Sequence, residues 1–112
     1  MNTPVSFELA KLLKEKGYPF EFITVGELKE VPLNIPTIAE VVMWLYEKHG
    51  IWIVVNPHKG KNNLGEFFME FDPEVWSFTN ECVFHNTELL YFNSPTEAYE
   101  AAIKYCLTNL IK

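Results

Sequence analysis

The side chains in this chain that could bind a metal are its histidines and cysteines. Cys82 and His85 have the Cys-x-x-His spacing of half a zinc site, and His58 or Cys106 could supply further ligands. Zinc sites in short chains normally use two such pairs, and Cys106 belongs to the apolar stripe of the last helix. The sequence therefore predicts no metal and no cofactor, and it predicts that both cysteines are free, buried thiols.

Catalysis by a nucleophile would need a serine or cysteine beside a histidine and an orienting acid. The sequence contains no nucleophile elbow, phosphate-binding loop, dinucleotide fingerprint or zinc-protease motif. Glu70, Asp72 and Glu74 are close in sequence, but a solvated acidic face explains them as well as catalysis does. A small enzyme with an unrecognised site stays open as an alternative, and the pattern favours a protein that is not an enzyme.

The charges favour a basic partner over nucleic acid. The net charge is −6, and all nine cationic residues are lysines. Arginine makes most of the bidentate contacts with phosphate and guanine, so its absence argues against a nucleic-acid reader. No lysine occurs between Lys61 and Lys104, whereas eight acidic residues fall in that window: Glu66, Glu70, Asp72, Glu74, Glu81, Glu88, Glu97 and Glu100. Part of the domain should therefore carry a negative field.

Helical periodicity is clear in the first half of the chain. Thr3 and Pro4 supply a cap and a first-turn proline for a helix over residues 4–16, and residues 18–35 have the composition of a connector with one short strand. Thr37 and Glu40 form a capping box for a second helix, which Gly50 ends. Its apolar face is broad, with Met43 and Trp44 outside the stripe, which predicts cover on a second side by the N-terminal helix or by another subunit.

The second half predicts a sheet and a final helix. Residues 51–55 have the continuous apolar pattern of a central strand, residues 56–65 are rich in turn formers, and residues 66–72 alternate as the next strand. Residues 88–92 predict the last clear strand, and a short extra strand near residues 82–85 is left open. Ser94 and Pro95 then start the C-terminal helix.

These elements predict a single α+β domain. Residues 1–35 form the N-terminal helix and connector, and residues 36–112 form a helix, a three-stranded antiparallel sheet and a helix packed on one face of the sheet. The apolar content of 48% is sufficient for one core. The longest apolar run is too short to cross a membrane and the start of the chain lacks a signal-peptide pattern, so the expected location is the cytoplasm.

The order of elements, together with Pro57 and His58 in the first hairpin loop, resembles the double-stranded RNA-binding domain. The resemblance implies that the loop, with His58, Lys59 and Lys61, enters a minor groove while lysines at the start of the last helix hold phosphates. This chain has Glu97 and Glu100 at that start, where the family needs cations. The resemblance therefore predicts a shared topology rather than a shared ligand.

A second resemblance covers three segments, residues 5–17, residues 36–49 and residues 96–102. They are similar to a group of small proteins of gut Bacteroidetes, their phages and integrated mobile elements. The group has no assigned activity, so the resemblance implies a phage or mobile-element context and no site residue.

The leading hypothesis from the sequence is a non-enzymatic protein-interaction domain, with another protein or a second copy as its partner. The predicted contact residues are Met43 and Trp44 as apolar anchors and Glu70, Asp72 and Glu74 as the groups that select a basic partner. The alternative is nucleic-acid binding through His58, Lys59 and Lys61, or mimicry of DNA by the acidic window.

Overall fold

A computed structural model of the chain describes residues 3–20, 22–26, 29–32 and 34–111. Within those residues the fold is α+β, as the sequence predicts, with helices before the sheet and a helix after it. The elements in chain order are α1 Phe7–Glu15, β1 Phe22–Val25, β2 Lys29–Pro32, α2 Ile38–His49, β3 Ile51–Lys61, β4 Phe67–Phe78, β5 Cys82–His85, α3 Pro95–Tyr105 and a π-helical turn Cys106–Leu110. Lys112, the predicted last residue of the module, lies outside the described residues.

Helix α1 begins later than the sequence predicted. Its cap is Ser6, whose hydroxyl accepts a hydrogen bond from the Leu9 backbone N–H. The prediction of a cap at Thr3 and Pro4 is wrong, because Pro4 forms a β-bridge with Thr37 in extended backbone. The helix buries Leu9, Ala10 and Leu13.

The connector between α1 and α2 contains two strands rather than one. Strands β1 and β2 pair antiparallel as a separate two-stranded sheet, with Phe22 opposite Pro32 and Val25 opposite Lys29. Each strand has only four residues, which is too short for the weak alternation of the sequence to distinguish two strands from one.

Helix α2 has the predicted ends. Thr37 accepts from the Glu40 N–H while the Glu40 carboxylate accepts from the Thr37 N–H, and Gly50 closes the helix in the left-handed region at φ +63°. The prediction that Trp44 lies outside the apolar stripe is wrong, because Trp44 is only 9% exposed. Its ring contacts the rings of Tyr18 and His49.

The sheet has the order β3-β4-β5, so β4 is the central strand and β3 lies at an edge. The prediction of a central strand at residues 51–55 is wrong, and so is the predicted loop at residues 56–65, because β3 continues to Lys61. The turn is confined to residues 62–66, where the Asn62 side chain accepts from two backbone N–H groups, those of Leu64 and Glu66. An exposed strand with Asn, Pro and Gly has the composition of a loop.

The two prolines of the long hairpin lie where no ladder donor is needed. Hydrogen bonds from Phe78 N–H to Gly50 and from Asn62 N–H to Glu66 show that the even-numbered residues of β3 bond to β4. The backbone nitrogen of Pro57, an odd-numbered residue, therefore points away from β4, to the edge of the sheet. Pro73 faces the other way, between the end of β5 and the bridge of Phe71 to Phe92. The short extra strand is confirmed as β5, whereas the predicted strand over residues 88–92 is reduced to that one bridge.

Helix α3 begins at the predicted signal, with Ser94 accepting from the Glu97 N–H and Pro95 in the first turn. All three helices contribute to one core on one face of the sheet, where they meet Ile51 and Ile53 of β3 and Val75 of β4. The most deeply buried side chains are Leu13, Ile38, Val41, Leu45, Val75, Ile103, Cys106 and Leu107. The C-terminal helix packs on the sheet as predicted.

The left-handed turn at Gly50 gives a stability prediction. The backbone of Gly50 has φ +63°, which is unfavourable for any residue with a side chain, and an added Cβ would lie 3.3 Å from the Phe78 carbonyl oxygen. The variant Gly50→Ala should therefore lower the free energy of unfolding by about 1–2 kcal/mol. Urea unfolding followed by circular dichroism measures this loss. A variant as stable as the parent would contradict the described geometry of the α2–β3 connection.

Candidate partner-binding face

The face of the sheet opposite the helices is defined by strand alternation. Ile53 and Val75 are paired and buried on the helix side, so their neighbours along β3 and β4 must point to the other side. We call this side the outer face. It includes Trp52, Val54, Asn56 and His58 of β3, Glu70, Asp72, Glu74 and Trp76 of β4, and Phe84 of β5.

One end of the outer face is aromatic. Trp52 pairs with Trp76 and Trp76 pairs with Phe84, so three rings lie in one row across all three strands. The Trp76 and Phe84 ring centroids are 4.9 Å apart, and Tyr46 of α2 lies 5.5 Å from Trp52, edge to face. These contacts leave much of the rings accessible to solvent: Tyr46 is 48% exposed, Trp52 is 36% exposed and Phe84 is 50% exposed. Such a contiguous apolar surface is typical of a binding site.

The middle of the outer face is acidic. Glu74 pairs with Val54, Asp72 with Asn56 and Glu70 with His58, which brings the three predicted carboxylates onto the same face. His58 Nε2 lies 3.6 Å from the Asp72 carboxylate, and the His58 ring packs edge to face on Tyr91 at 4.9 Å. His58 therefore belongs to this face, and its predicted place in the first hairpin loop is wrong, because β3 continues through it.

Lys59 and Lys61 lie on the opposite side of the same hairpin. Both ammonium groups lie over the Phe67 ring, at 4.6 and 5.6 Å from its centroid. Gly60 lies on the outer face, where the Phe68 ring occupies the space that a Cβ of residue 60 would need. The structure therefore separates His58 from the two lysines with which the sequence grouped it.

The two predicted apolar anchors on α2 have different environments. Met43 is 46% exposed, as the sequence predicted. Trp44 is part of the core and presents almost no surface to a partner. The aromatic row was missed by sequence reasoning, although one signal could have found it: if Ile51 and Ile53 face a core, Trp52 between them must face away.

Comparison of the chain with protein-family models, curated proteins and solved structures finds no match. The interpretation of the outer face therefore rests on its own residues. Among the described residues, no helix is long and apolar enough to span a membrane.

The candidate metal and nucleophile residues do not form a complete site. Cys82 and His85 point to opposite faces of β5 because they are three positions apart on the strand, and the described residues contain no group of three or more metal-binding side chains. The Ser77 hydroxyl is hydrogen-bonded to His85 Nε2, but in the described part of the chain no carboxylate is paired with this histidine. The contact links β4 to β5.

Two surface depressions are lined by other residues. One of 180 Å³ lies between α1 and α3, and one of 290 Å³ lies beside Tyr18 and Pro36. Neither is lined by His58, His85 or the carboxylates of the outer face. These depressions give no support to the enzyme alternative.

His49 gives a prediction for pH dependence. Partial burial, followed by repulsion from Lys48, lowers the pKa of His49 below its ordinary 6.5, whereas its place at the helix C-terminus alone would favour the charged form. The neutral ring is thus preferred in the folded state. The stability that the neutral His49 ring contributes is therefore fully present above the pKa of His49 in the unfolded chain, and it is lost as the pH falls through the lower pKa of His49 in the folded protein.

The variant His49→Gln should therefore lose less stability than the parent when the pH is lowered from about 7.5 to about 5. Urea unfolding at both pH values, compared between the two proteins, isolates the contribution of His49. A steeper loss in the variant would show that the sign is wrong.

The cysteines give a reactivity prediction. Both are free, but only Cys106 is buried as predicted, since Cys82 is exposed. Burial raises the pKa of Cys106 to about 12, so its reactive thiolate is scarce at neutral pH. A maleimide reagent should label one site in the folded protein, and the Cys82→Ser variant should react only after unfolding in urea. Rapid labelling of that folded variant would contradict the burial of Cys106.

Proposed function

We propose that this chain is a non-enzymatic protein-interaction domain and that the outer face is its contact surface. The observation that carries the proposal is the aromatic row, in which Trp52 and Phe84 remain exposed and Trp76 is half-buried while the helices cover the other side of the sheet. Aromatic residues are enriched at the energetic centres of protein interfaces. The proposed aromatic anchors therefore lie on the sheet, whereas Trp44 of α2 belongs to the core.

The face of the sheet supports this role better than its edge does. Strand β3 has no described strand on its outer side, but Pro57 interrupts its row of outward N–H donors. Addition of a partner strand along the whole edge would leave a carbonyl opposite Pro57 without a donor. Side-chain contacts on the outer face need no such pairing.

Nucleic acid is a weaker candidate for the ligand. Glu70, Asp72 and Glu74 would repel a phosphate backbone from the outer face, and Glu97 occupies the first turn of α3. Lys59 and Lys61 lie on the other side of the hairpin and stack on Phe67. These charges support a protein partner, within the phage or mobile-element setting that the sequence resemblance implies.

A site-specific photo-cross-linker tests the proposal in the cells from which the chain comes. The cross-linking residue replaces Phe84 on the outer face, and the matched control replaces Phe7, which is 63% exposed on α1. We expect one protein to be captured reproducibly from position 84 and not from position 7. The captured protein is then purified and its affinity for the unmodified chain is measured by calorimetry.

In that measurement Trp52→Ala should weaken binding by about tenfold or more, because it removes one of the exposed aromatic anchors of the surface. Phe7→Ala is the control and should leave the affinity unchanged. No specific capture from position 84, or a purified partner whose affinity does not depend on Trp52, would contradict the proposal.

A further inference from the structure

The aromatic row and the carboxylates form one continuous surface. Successive side chains on one face of a strand are about 7 Å apart, so the distance from the row of Trp52 to the row of His58 is about 20 Å. Along this path come Trp76, Glu74, Asp72 and Glu70 of the central strand. A segment of about six extended residues would cover the whole path.

Cation–ring contacts in the described part of the chain lie away from the aromatic row. Elsewhere in the molecule, lysines stack on exposed rings, as Lys11 does on Phe7 and Lys59 on Phe67. Among the described residues, no lysine lies over Trp52, Trp76 or Phe84. The exposed rings of Trp52 and Phe84 are thus available for a cation from another molecule.

The carboxylates are also mostly uncompensated. Asp72 has His58 at 3.6 Å, but Glu70 and Glu74 have no ion pair with a described residue. Both glutamates are half-buried and paired with β3, which limits the water around them. A low local polarity strengthens attraction for an incoming positive charge.

The same charges disfavour a second copy on this face. Two outer faces stacked against each other would bring three carboxylates of one copy towards three of the other, and none of the outer-face residues is a lysine. Repulsion between like charges at an interface costs several kcal/mol. The surface is complementary to positive charge and not to itself.

We propose that the outer face binds an extended basic segment of a partner protein, with one lysine or arginine stacked on the aromatic row and another paired with Glu70 or Glu74. This proposal rests on the proposed function and specifies the chemistry of the partner. Arginine binds better than lysine, because its planar guanidinium stacks on the rings and forms two parallel hydrogen bonds with a carboxylate.

Synthetic peptides of about eight residues test the chemistry directly. Arginines spaced by glycine and serine are compared with lysines, with neutral citrulline and with glutamates in the same positions. Binding is followed by NMR through the indole N–H signals of Trp52, Trp76 and the buried Trp44. We expect the arginine peptide to shift the first two signals and not the third, with an affinity about tenfold above that of the citrulline peptide.

Matched variants separate local contacts from net charge. Glu74→Gln and Glu15→Gln remove the same charge, but only Glu74 lies on the outer face, whereas Glu15 is exposed on α1. Glu74→Gln should weaken binding of the arginine peptide by about threefold, with no comparable effect of Glu15→Gln. Trp52→Leu, which keeps apolar bulk but removes the aromatic ring, should also weaken it, whereas Phe7→Leu should not.

Equal binding of the citrulline and arginine peptides on the outer face would overturn the basic-partner proposal while leaving the face as an interaction surface. Equal effects of the two glutamate variants would overturn it as well, since attraction would then be non-specific. If no peptide shifts the Trp52 or Trp76 signals, the basic-partner proposal fails, and the cross-linking result at Phe84 decides the proposed function separately.

Discussion

The pairing of Val75 with Ile53 is the contact on which the rest of the structure depends. Val75 is fully buried and Ile53 is 2% exposed, in the same core as Leu13, Leu45 and Ile103. Because side chains alternate along a strand, this one pair determines the direction of every other side chain in β3 and β4. A shift of one residue would bury three carboxylates and expose the core. The outer face therefore follows from the burial of its neighbours.

Both ends of α2 and the start of α3 could be predicted from the sequence because they depend on local chemistry, whereas the start of α1 was predicted at Thr3 and lies at Ser6. The capping box of Thr37 and Glu40, the left-handed Gly50 and the cap at Ser94 each involve groups within four residues of one another. The length and order of the strands could not be predicted in this way. The residues after Val55 have the composition of a loop, and only pairing with β4 makes them a strand.

The candidate site was predictable in part for the same reason. The spacing of Glu70, Asp72 and Glu74 places them on one side of any strand, so the acidic component was visible. The aromatic component joins residues that are far apart in sequence: Trp52 is 24 positions from Trp76, and Trp76 is 8 positions from Phe84. Only the strand register brings their rings together. Trp44 was misplaced because its stripe on α2 is wider than the periodicity suggested.

The central claim is that the outer face is an open and negatively charged aromatic surface. Fluorescence quenching of single-tryptophan variants, made by replacing the other two tryptophans with phenylalanine, tests it most directly. At matched ionic strength, and with each ion's quenching divided by its quenching of free tryptophan, cationic caesium should quench Trp52 more efficiently than anionic iodide does, and neither ion should quench Trp44 appreciably. Protection of Trp52 from both ions, or a higher normalised quenching by iodide than by caesium, would contradict the account.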